Sequence, residues 1–337
     1  MSAVYEYTGP VDCSVVPDKT QCSGKSVIVT GGRFKIVVPF GAIDPDVGVG
    51  CVKNGADPSP LLGANGMGEA YVREFTKNGA FVTYCDLNEE KGKAIETELT
   101  PEKCCFVKCD VSSWDDQVQL FAAAVTKSPS KTVDIVIANA GVGGGAGDPI
   151  MALEDPFSKP TKPSMHIIDI NLIGSMYTFK LAIHYFRRGE QTADRDRCFI
   201  FVGSIAGICD NLGSWEYSTS KWGLRGLMRT ARRNAPHQGI RVSYVAPAWI
   251  RTAIQTQETL EKLGRNGVEF ASVDSAVRCV MRISCDKSIN GHSFVICSAS
   301  VSKDGFRDAE EDDRTDENHW LQKIQRTVFR ARGDAWS

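Results

Sequence analysis

Ser26–Gly32 reads SVIVTGG and Ala64–Tyr71 reads ANGMGEAY, and thirty-one residues, Arg33–Gly63, separate the two stretches. The first stretch has the form of a buried strand that runs into a glycine turn. The second has the form of a glycine turn that opens a helix. Together they would make a turn that holds the pyrophosphate of a dinucleotide. Glycines let the backbone approach the phosphates, and a helix N-terminus offers free N–H groups.

The segment Arg33–Gly63 has no clear place in such a turn. It contains an apolar run, Ile36–Phe40, and a middle rich in Gly, Asp and Pro, without a helix or strand pattern that has a partner. One interpretation is a surface excursion, since closing a longer loop costs little free energy. The hypothesis that we favour is a translated retained intron, because thirty-one codons keep the reading frame and Gly32 and Gly63 stand at the junctions.

Strand-like and helix-like segments alternate along the rest of the chain. Apolar strands between amphipathic helices predict a doubly wound α/β (Rossmann) fold, with a parallel sheet covered on both faces. The predicted strands are Ser26–Thr30, Ala80–Cys85, Cys105–Lys108, Val133–Ala138, Cys198–Val202, Arg241–Val245 and Ser293–Cys297. The predicted helices are Met67–Asn78, Glu89–Leu99, Trp114–Thr126, Ser164–Phe186, Glu216–Asn234 and Val273–Ser284.

The chain divides into three regions on this pattern. We expect an N-terminal arm at 1–24, one nucleotide-binding domain at 25–300 with the insertion at 33–63, and a tail at 301–337. The tail contains the acidic run KDGFRDAEEDDRTDENHW from Lys303 to Trp320. A run of like charges usually stays in water, so we expect a solvated surface arm rather than an interaction motif.

Composition argues against several classes of protein. The chain is 42% hydrophobic and 24% charged, as soluble globular proteins are, and its formal net charge is −2. Neither a basic patch nor a basic amphipathic helix is recognised, which speaks against nucleic acid and membranes as partners. No signal peptide or membrane span is recognised, so we expect a cytoplasmic protein. The twelve cysteines lack zinc or disulfide spacing, so we expect reduced, buried thiols and no metal.

Asp86 closes the second predicted strand, twenty residues after Gly66. A carboxylate at this place accepts the ribose hydroxyls of an adenosine. The next four residues, LNEE, offer no base to neutralise a 2′-phosphate, so the sequence favours NAD over NADP. A turn or helix-cap role for Asp86 is the alternative.

Four further polar residues follow in order along the chain. Asn171 falls in a long predicted helix, Ser204 follows the fifth strand, and Tyr217 and Lys221 are four residues apart and share one helix face. Each has a plain structural alternative: a local hydrogen bond, a helix cap, or packing with a surface charge. Their occurrence in this order, after the Asn139–Gly141 turn, indicates a catalytic site.

With these motifs the chain resembles the short-chain dehydrogenase/reductase family from about Lys25 to Ala299. The Gly66–Ala70 and Ile289–Ser293 stretches and Asp86 are similar to hydroxyprostaglandin-dehydrogenase-like members, and fungal hydroxyaverantin dehydrogenases look closest. The motifs that carry the resemblance are Thr30–Gly31, Gly66–Gly68, Asp110–Val111, Asn139–Gly141, Asn171, Ser204, Tyr217 and Lys221.

The resemblance implies a role for each catalytic residue. Tyr217 would be the acid/base, Ser204 would hydrogen-bond the substrate oxygen, and Asn171 would hold a water that links Lys221 to solvent. Lys221 would also hold the nicotinamide ribose. An ammonium about 6 Å from a phenol at an effective dielectric of about 20 contributes roughly 2.8 kcal/mol, which predicts a Tyr217 pKa about two units lower.

The resemblance also implies the residues around the cofactor and the substrate. Ala246–Thr252 matches the loop over the nicotinamide, with Ala248 in place of the usual glycine. Apolar residues flank the site and predict a hydrophobic or aromatic alcohol as substrate, unless the tryptophans pack under loops. The substrate-pocket candidates are Ser204, Val142, Trp215 and Trp249. The NAD-binding candidates are Gly31, Gly32, Asn65, Gly66, Met67, Gly68, Asp86, Asp110, Val111, Asn139, Ala140, Gly141, Tyr217, Lys221, Pro247, Ile250 and Thr252.

The sequence therefore predicts an NAD-dependent oxidoreductase that interconverts a secondary alcohol and a ketone on an aromatic or polyketide-like molecule. The alternative is a catalytically silent binding protein of the same shape, disabled by the insertion in its cofactor loop. Members of the family usually pair through the helices that here carry Asn171 and Tyr217, so the resemblance implies a homodimer or homotetramer.

Overall fold

The structure is a computed structural model that describes residue 5 and residues 7–31, 66–143, 150, 154–188, 195–211, 214–251, 257–313 and 319–332. Its centre is an eight-stranded sheet with the order β3-β2-β1-β4-β5-β6-β7-β8. The first seven strands are parallel, and β8 pairs antiparallel with β7. The strands are β1 (Ser26–Thr30), β2 (Phe81–Asp86), β3 (Cys104–Lys108), β4 (Ile135–Ala138), β5 (Arg197–Val202), β6 (Ile240–Pro247), β7 (Ser293–Ile296) and β8 (Phe306–Asp308).

Helices connect the strands and cover both faces of the sheet. They are α1 (Met67–Lys77), α2 (Glu89–Leu99), α3 (Trp114–Lys127), α4 (His166–Ile168), α5 (Ser175–Phe186), α6 (Trp215–Asn234), α7 (Gln257–Arg265), α8 (Val273–Cys285) and α9 (Trp320–Arg332). A π-helical turn joins α4 to α5, and a 3₁₀ turn follows β5; they are Asp169–Gly174 and Ile205–Gly207. The predicted doubly wound α/β fold is confirmed.

Side chains of each strand alternate between two hydrophobic cores, as the two-residue period of a strand requires. In β1, Val27 and Val29 pack in the core beneath α1 and α8, whereas Ile28 packs in the core beneath α3, α5 and α6. The chain leaves β1 in one direction toward β2 and later returns on its other side with β4. This reversal opens a crevice at the carboxyl ends of β1 and β4, where doubly wound proteins bind ligands.

The segment around β8 is not the solvated arm that its acidic composition predicted. Phe306 is 3% exposed and Asp308 is 5% exposed. The Asp308 carboxylate lies 2.7 Å from Nδ1 of His292 and accepts the backbone N–H of Val11 at 3.0 Å. The prediction was wrong because it considered the charge of the segment alone, whereas the folded chain places buried partners against it. The predicted boundary at residue 300 thus separates β8 from the sheet to which it belongs.

The acidic residues after β8 face four arginines of α6, which we call the arginine cluster. Asp312 accepts hydrogen bonds from Arg225 and Arg229, both at 2.9 Å. Asp313 accepts one from Arg232 at 2.7 Å, and Arg233 completes the cluster with an N–O distance of 3.6 Å to Asp313. Burial alone would raise the pKa of Asp312, but a hydrogen bond with Ser293 and the guanidinium groups of Arg225 and Arg229 hold that pKa below its usual range.

The last helix corrects a second expectation from composition. Helix α9 runs WLQKIQRTVFRAR, with Lys323 and three arginines and no acidic residue, so the chain does contain a basic amphipathic helix. Trp320, Ile324 and Val328 lie four residues apart on it and are 63%, 54% and 42% exposed. None of the described helices has both the length and the apolar character to cross a bilayer. Among the described cysteines Cys209 is exposed, contrary to the expectation of buried thiols.

Candidate active site

The two halves of the glycine turn lie against each other in the structure. Gly31 follows β1 with φ = 69°, a left-handed conformation that favours glycine. A Cβ atom on Gly68 would lie 2.0 Å from the carbonyl oxygen of Gly31, so only glycine fits there. Gly66 forms the N-cap of α1 and has no side chain, and Met67 is the first helical residue. Gly32 and Asn65, together with the whole insertion Arg33–Gly63, lie outside the described residues.

The Asn139–Gly141 turn is tied to the end of β1. The Asn139 side chain donates to the carbonyl oxygens of Gly31 at 2.6 Å and Thr30 at 3.1 Å. The Thr30 hydroxyl in turn accepts the backbone N–H groups of Asn139 and Ala140 at 3.1 and 3.2 Å. Thr30 is therefore a structural member of the site that the site prediction left out, although its place before the first glycine of the motif could have identified it.

This crevice fits a dinucleotide. Gly31 and Gly68 have no side chains, so a ligand can approach the backbone there, and helix α1 begins beside them. A Cβ atom on Gly31 would also collide with the backbone of Ala140 at 2.7 Å. Among the described residues, the buried Oδ1 atom of Asn139 has no hydrogen-bond donor. A ribose hydroxyl would satisfy that acceptor, as buried polar atoms require.

Asp86 closes β2 with its carboxylate accepting the backbone N–H of Asn88 at 2.8 Å. The register of the sheet places Lys108, the last residue of β3, opposite Asp86. The prediction of NAD had found no basic residue near Asp86 because it considered only the four residues that follow. Lys108 lies 3.5 Å from the Glu89 carboxylate, and its side chain is 61% exposed. A positive charge therefore does lie near the proposed ribose site, which weakens the argument against a 2′-phosphate.

Asp110 and Val111 are held in place by α3 and the π-helical turn. The Asp110 carboxylate accepts the N–H of Ser112 at 2.9 Å, and the Val111 carbonyl accepts the side-chain amide of Gln117. The same amide donates to the carbonyl of Gly174 at 2.8 Å. The Val111 segment is thereby fixed beside the turn that carries Asn171.

Asn171 lies in the π-helical turn and connects two parts of the site. Its Oδ1 atom accepts the N–H of Val142 at 2.7 Å, and its Nδ2 atom donates to the Val142 carbonyl at 3.0 Å. Nδ2 also donates to the hydroxyl of Ser220 at 3.1 Å, on the helix of Tyr217 and Lys221. The side chain is thus committed to protein partners, and the predicted role of holding a water stays a prediction. Ser220, which precedes Lys221 in sequence, was missed.

Ser204, Tyr217 and Lys221 come together at the carboxyl end of β5. A hydrogen bond joins the side chains of Ser204 and Tyr217. The Lys221 ammonium lies 5.5 Å from the centroid of the Tyr217 ring and donates to the carbonyl oxygen of Val202 at 3.4 Å. The predicted catalytic residues therefore form one connected group, with Asn171 attached through Ser220.

Burial reverses the pKa shift that was expected for Tyr217. It raises the pKa of the phenol, and the hydrogen bond with Ser204 offsets only part of that rise. Burial also lowers the pKa of Lys221 to about 8, because an ammonium loses its hydration there. The prediction was wrong in direction because it counted the charge of Lys221 and not the desolvation of both groups, which distance along a sequence does not show.

The remaining candidates lie on the loops around this group. Pro247 ends β6, and the buried Ile250 pairs with Ala271 beside α8. Among the described residues other than glycine, only Thr100, Lys131 and Glu310 have a positive φ, so Ala248 occupies backbone that any residue can adopt. Trp249 is partly buried and Trp215 is 49% exposed, so their place in one substrate pocket with Val142 stays a prediction. Thr252 lies outside the described residues.

Comparisons with known proteins agree with this geometry. The family model described as short chain dehydrogenase matches residues 62–263. A 5'-hydroxyaverantin dehydrogenase of Dothistroma septosporum is 29% identical over 81% of this chain and 92% of its own length. A second 5'-hydroxyaverantin dehydrogenase, from Emericella nidulans, is 29% identical over 84% of this chain and 94% of its own length. An NADP-dependent dehydrogenase of Cochliobolus lunatus is 30% identical over 68% and 84%. The chain belongs to the short-chain dehydrogenase family, whose oxidoreductases use a nicotinamide cofactor.

Proposed function

We propose that the chain is an NAD-dependent oxidoreductase that interconverts a secondary alcohol and a ketone on a hydrophobic, aromatic or polyketide-like small molecule. The observation that carries the proposal is the group of Ser204, Tyr217 and Lys221 beside the Gly31–Gly68 crevice. The names of the hydroxyaverantin dehydrogenases support the substrate class.

The side chains of this group divide the proton chemistry between them. A bound nicotinamide accepts a hydride in the oxidation and supplies it in the reduction. Ser204 holds the substrate oxygen by a hydrogen bond at a fixed distance from Tyr217. Tyr217 removes the hydroxyl proton in the oxidation and returns it in the reduction. The positive charge of Lys221, whose pKa is about 8, favours the phenolate form of Tyr217 as long as the lysine stays protonated.

The direct test is a screen of aromatic and polyketide-like secondary alcohols with NAD, followed by the absorbance of the reduced cofactor. We expect turnover for members of this panel by the wild-type protein. Turnover should fall by roughly 10³-fold in Tyr217→Phe, and this loss excludes a contaminating dehydrogenase as the source of the activity. A wild type that binds NADH but oxidises no alcohol and reduces no ketone of the panel would contradict the proposed activity.

We propose NAD as the cofactor because the Asp86 carboxylate can accept hydrogen bonds from ribose hydroxyls and would repel a 2′-phosphate. The nearby Lys108 and the name of the NADP-dependent relative act against this preference. The test compares kcat/KM for NAD and for NADP. We expect a wild type that prefers NAD, a lower NAD preference in Asp86→Ala and a higher one in Lys108→Ala. A wild type that prefers NADP, or an Asp86→Ala variant with an unchanged ratio, would refute the assignment.

We also infer that Arg33–Gly63 is absent from the working enzyme. Gly31 and Gly68 are already in contact, and the five residues that would remain between them can span such a gap. The protein that lacks Arg33–Gly63 should bind NADH well and turn over substrate, whereas the full-length chain should bind NADH poorly. If both forms bind equally and no shorter transcript exists, the insertion is a tolerated loop. If neither form binds millimolar NADH, the chain is the catalytically silent binding protein.

Pairing through α5 and α6 completes the proposal as a homodimer or homotetramer. Met176 on α5 and Trp222 on α6 are both 44% exposed, and Trp114 at the start of α3 is 40% exposed. Large apolar side chains of this kind are typical of subunit interfaces. Light scattering of the purified protein measures the oligomeric state, and Trp222→Lys should lower it.

A further inference from the structure

Tyr244 lies under the proposed catalytic group, on the interior strand β6, and is fully buried. Its hydroxyl oxygen accepts the backbone N–H of Ser204 at 3.1 Å. Its hydroxyl proton is placed to be donated to the carbonyl of Ser204 at 3.2 Å or to that of Lys221 at 3.3 Å. A single phenol thus connects the turn after β5 with the helix that carries Tyr217.

Two glycines make room for this phenol. A Cβ atom on Gly203 would lie 1.9 Å from the Tyr244 hydroxyl. One on Gly207 would lie 2.3 Å from the same oxygen and 2.7 Å from the carbonyl of Lys221. Any side chain at either position would displace the phenol or the backbone of α6. The turn after β5 and the side chain of β6 therefore fit each other closely.

Tyr244 stays protonated throughout the working pH range. Burial raises the pKa of its phenol, and the hydrogen bond with the Ser204 backbone offsets only part of that rise. The O–H donor is therefore constant, unlike the acid/base Tyr217, whose proton must move. The two phenols contact the same serine, Tyr217 at its side chain and Tyr244 at its backbone.

We propose that Tyr244 is a positioning residue, which holds the backbones of Ser204 and Lys221 at one fixed separation so that the Ser204 hydroxyl stays within hydrogen-bonding reach of Tyr217. The inference rests on the function proposed above, because it assigns Ser204 and Tyr217 their catalytic roles. It adds a residue that touches neither the substrate nor the cofactor and acts only through the two backbones that its oxygen contacts.

Tyr244→Phe is the direct test, because it removes one oxygen and leaves the ring in the space between the glycines. Tyr84→Phe is the matched control: Tyr84 is 1% exposed and donates to the carbonyl of Gly92 at 2.7 Å, on the other side of the sheet order. Each variant loses a buried hydroxyl, so both should lower the melting temperature. We expect kcat to fall about tenfold in Tyr244→Phe alone, with KM for NAD unchanged in both.

Two further readouts separate positioning from general loss of stability. The hydrogen bond with Ser204 lowers the pKa of Tyr217, so a looser Ser204 should raise the apparent pKa of kcat for alcohol oxidation in Tyr244→Phe. In a Ser204→Ala background, Tyr244→Phe should lose most of its effect on kcat, since both changes act through one hydroxyl. Fully additive effects, or equal kcat losses in Tyr244→Phe and Tyr84→Phe, would overturn the proposal.

A spectroscopic measurement decides the question even in a protein that turns nothing over. In protein labelled with ¹³C at tyrosine Cζ, Tyr217→Phe assigns the resonance of Tyr217. That resonance should shift in Tyr244→Phe and stay in place in Tyr84→Phe. If the wild type is inactive, the proposed oxidoreductase activity fails, while an unmoved Tyr217 resonance would refute the role of Tyr244.

Discussion

The two halves of helix α6 treat buried charge in opposite ways. Lys221, in the first half, is 4% exposed, and the contact described for its ammonium is a backbone carbonyl at 3.4 Å. Arg232, in the second half, is 1% exposed and donates to Asp313, to the Tyr5 hydroxyl and to the carbonyl of Gly291. Burial lowers the pKa of Lys221 to about 8, whereas the second half is built from ion pairs.

This difference indicates that the first half of α6 serves the proposed reaction, whereas the second half stabilises the fold. A buried ion without a counter-ion costs free energy, and such a cost is typical of functional sites. A buried ion with a full set of hydrogen-bond partners holds segments together instead. Here the ion pairs of the arginine cluster hold the second half of α6 against Asp312 and Asp313. The first half of the same helix carries Tyr217 and Lys221 to the end of β5.

The largest effect should come from the first half. Tyr217→Phe removes only the phenolic oxygen, so kcat should fall by roughly 10³-fold while NADH affinity stays close to that of the wild type. Tyr177→Phe, on α5 against Trp114, is the control and should leave kcat unchanged. Steady-state kinetics and a fluorescence titration measure the two quantities. Turnover within a few-fold of the wild type would exclude Tyr217 as the acid/base.

Substitutions in the ion pairs of the second half of α6 should lower the free energy of unfolding and leave the proposed chemical step unchanged. Asp312→Asn leaves Arg225 buried without its carboxylate, so the free energy of unfolding at pH 7 should fall by about 3 kcal/mol. Glu310→Gln breaks a surface pair with Arg307 and should cost less than about 1 kcal/mol. Denaturant unfolding measures both. Equal losses in the two variants would show that the ion pairs of α6 contribute no more than a surface pair.

The effect of Asp312→Asn on the free energy of unfolding should depend on pH, and the pKa of Asp312 gives the direction. The folded-state pKa of Asp312 lies below its unfolded value of about 3.9, so its stabilisation is fully present above about pH 5. It is lost as the pH falls through the folded pKa, where both states take up the proton. The stability difference between wild type and Asp312→Asn should therefore shrink in acid. A constant difference from pH 7 to pH 2 would contradict this linkage.

A change of opposite sign is expected at Lys221. Its pKa is about 8 in the folded chain and about 10.4 in the unfolded one, so the folded state gives up its proton first and the lysine destabilises the protein at pH 7. Lys221→Met should raise the free energy of unfolding at pH 7 by up to about 3 kcal/mol while abolishing turnover. The gain is complete below about pH 8 and disappears towards pH 10.4. Lys180→Met, at an exposed position of α5, is the control.

Local patterns predicted the parallel part of the fold well. Helix α2 has the predicted bounds, because Asn88 caps it and its amphipathic pattern ends at Leu99. The antiparallel strand β8 was missed, because three residues carry no periodic signal and need the edge of β7 to pair with. Helices α7 and α9 were also missed, since α7 has only nine residues and α9 lies in the tail that was expected to be a solvated arm.

The residues of the candidate site could be named from the sequence, but the groups that surround them in the fold could not. Tyr217 and Lys221 could be named because their spacing of four on one helix occurs together with Asn171, Ser204 and the Asn139–Gly141 turn in one order along the chain. Lys108 escaped because only the register of β3 against β2 brings it next to Asp86, and Tyr244 because only the fold places β6 under Ser204. Burial, which decides the direction of the Tyr217 pKa, is likewise a property of the assembled sheet.

The contacts that hold Arg232 join residues from distant parts of the chain, and this affects the order in which the protein can fold during synthesis. The hydroxyl of Tyr5 and the guanidinium of Arg232 both meet the carboxylate of Asp313, which lies 308 residues after Tyr5. During synthesis α6 leaves the ribosome about eighty residues before that carboxylate does. Until then a buried face of the helix carries positive charges that nothing neutralises. The helix that carries Tyr217 gains these ion pairs only after residue 313 has emerged, so we expect the proposed catalytic group to be completed late in folding.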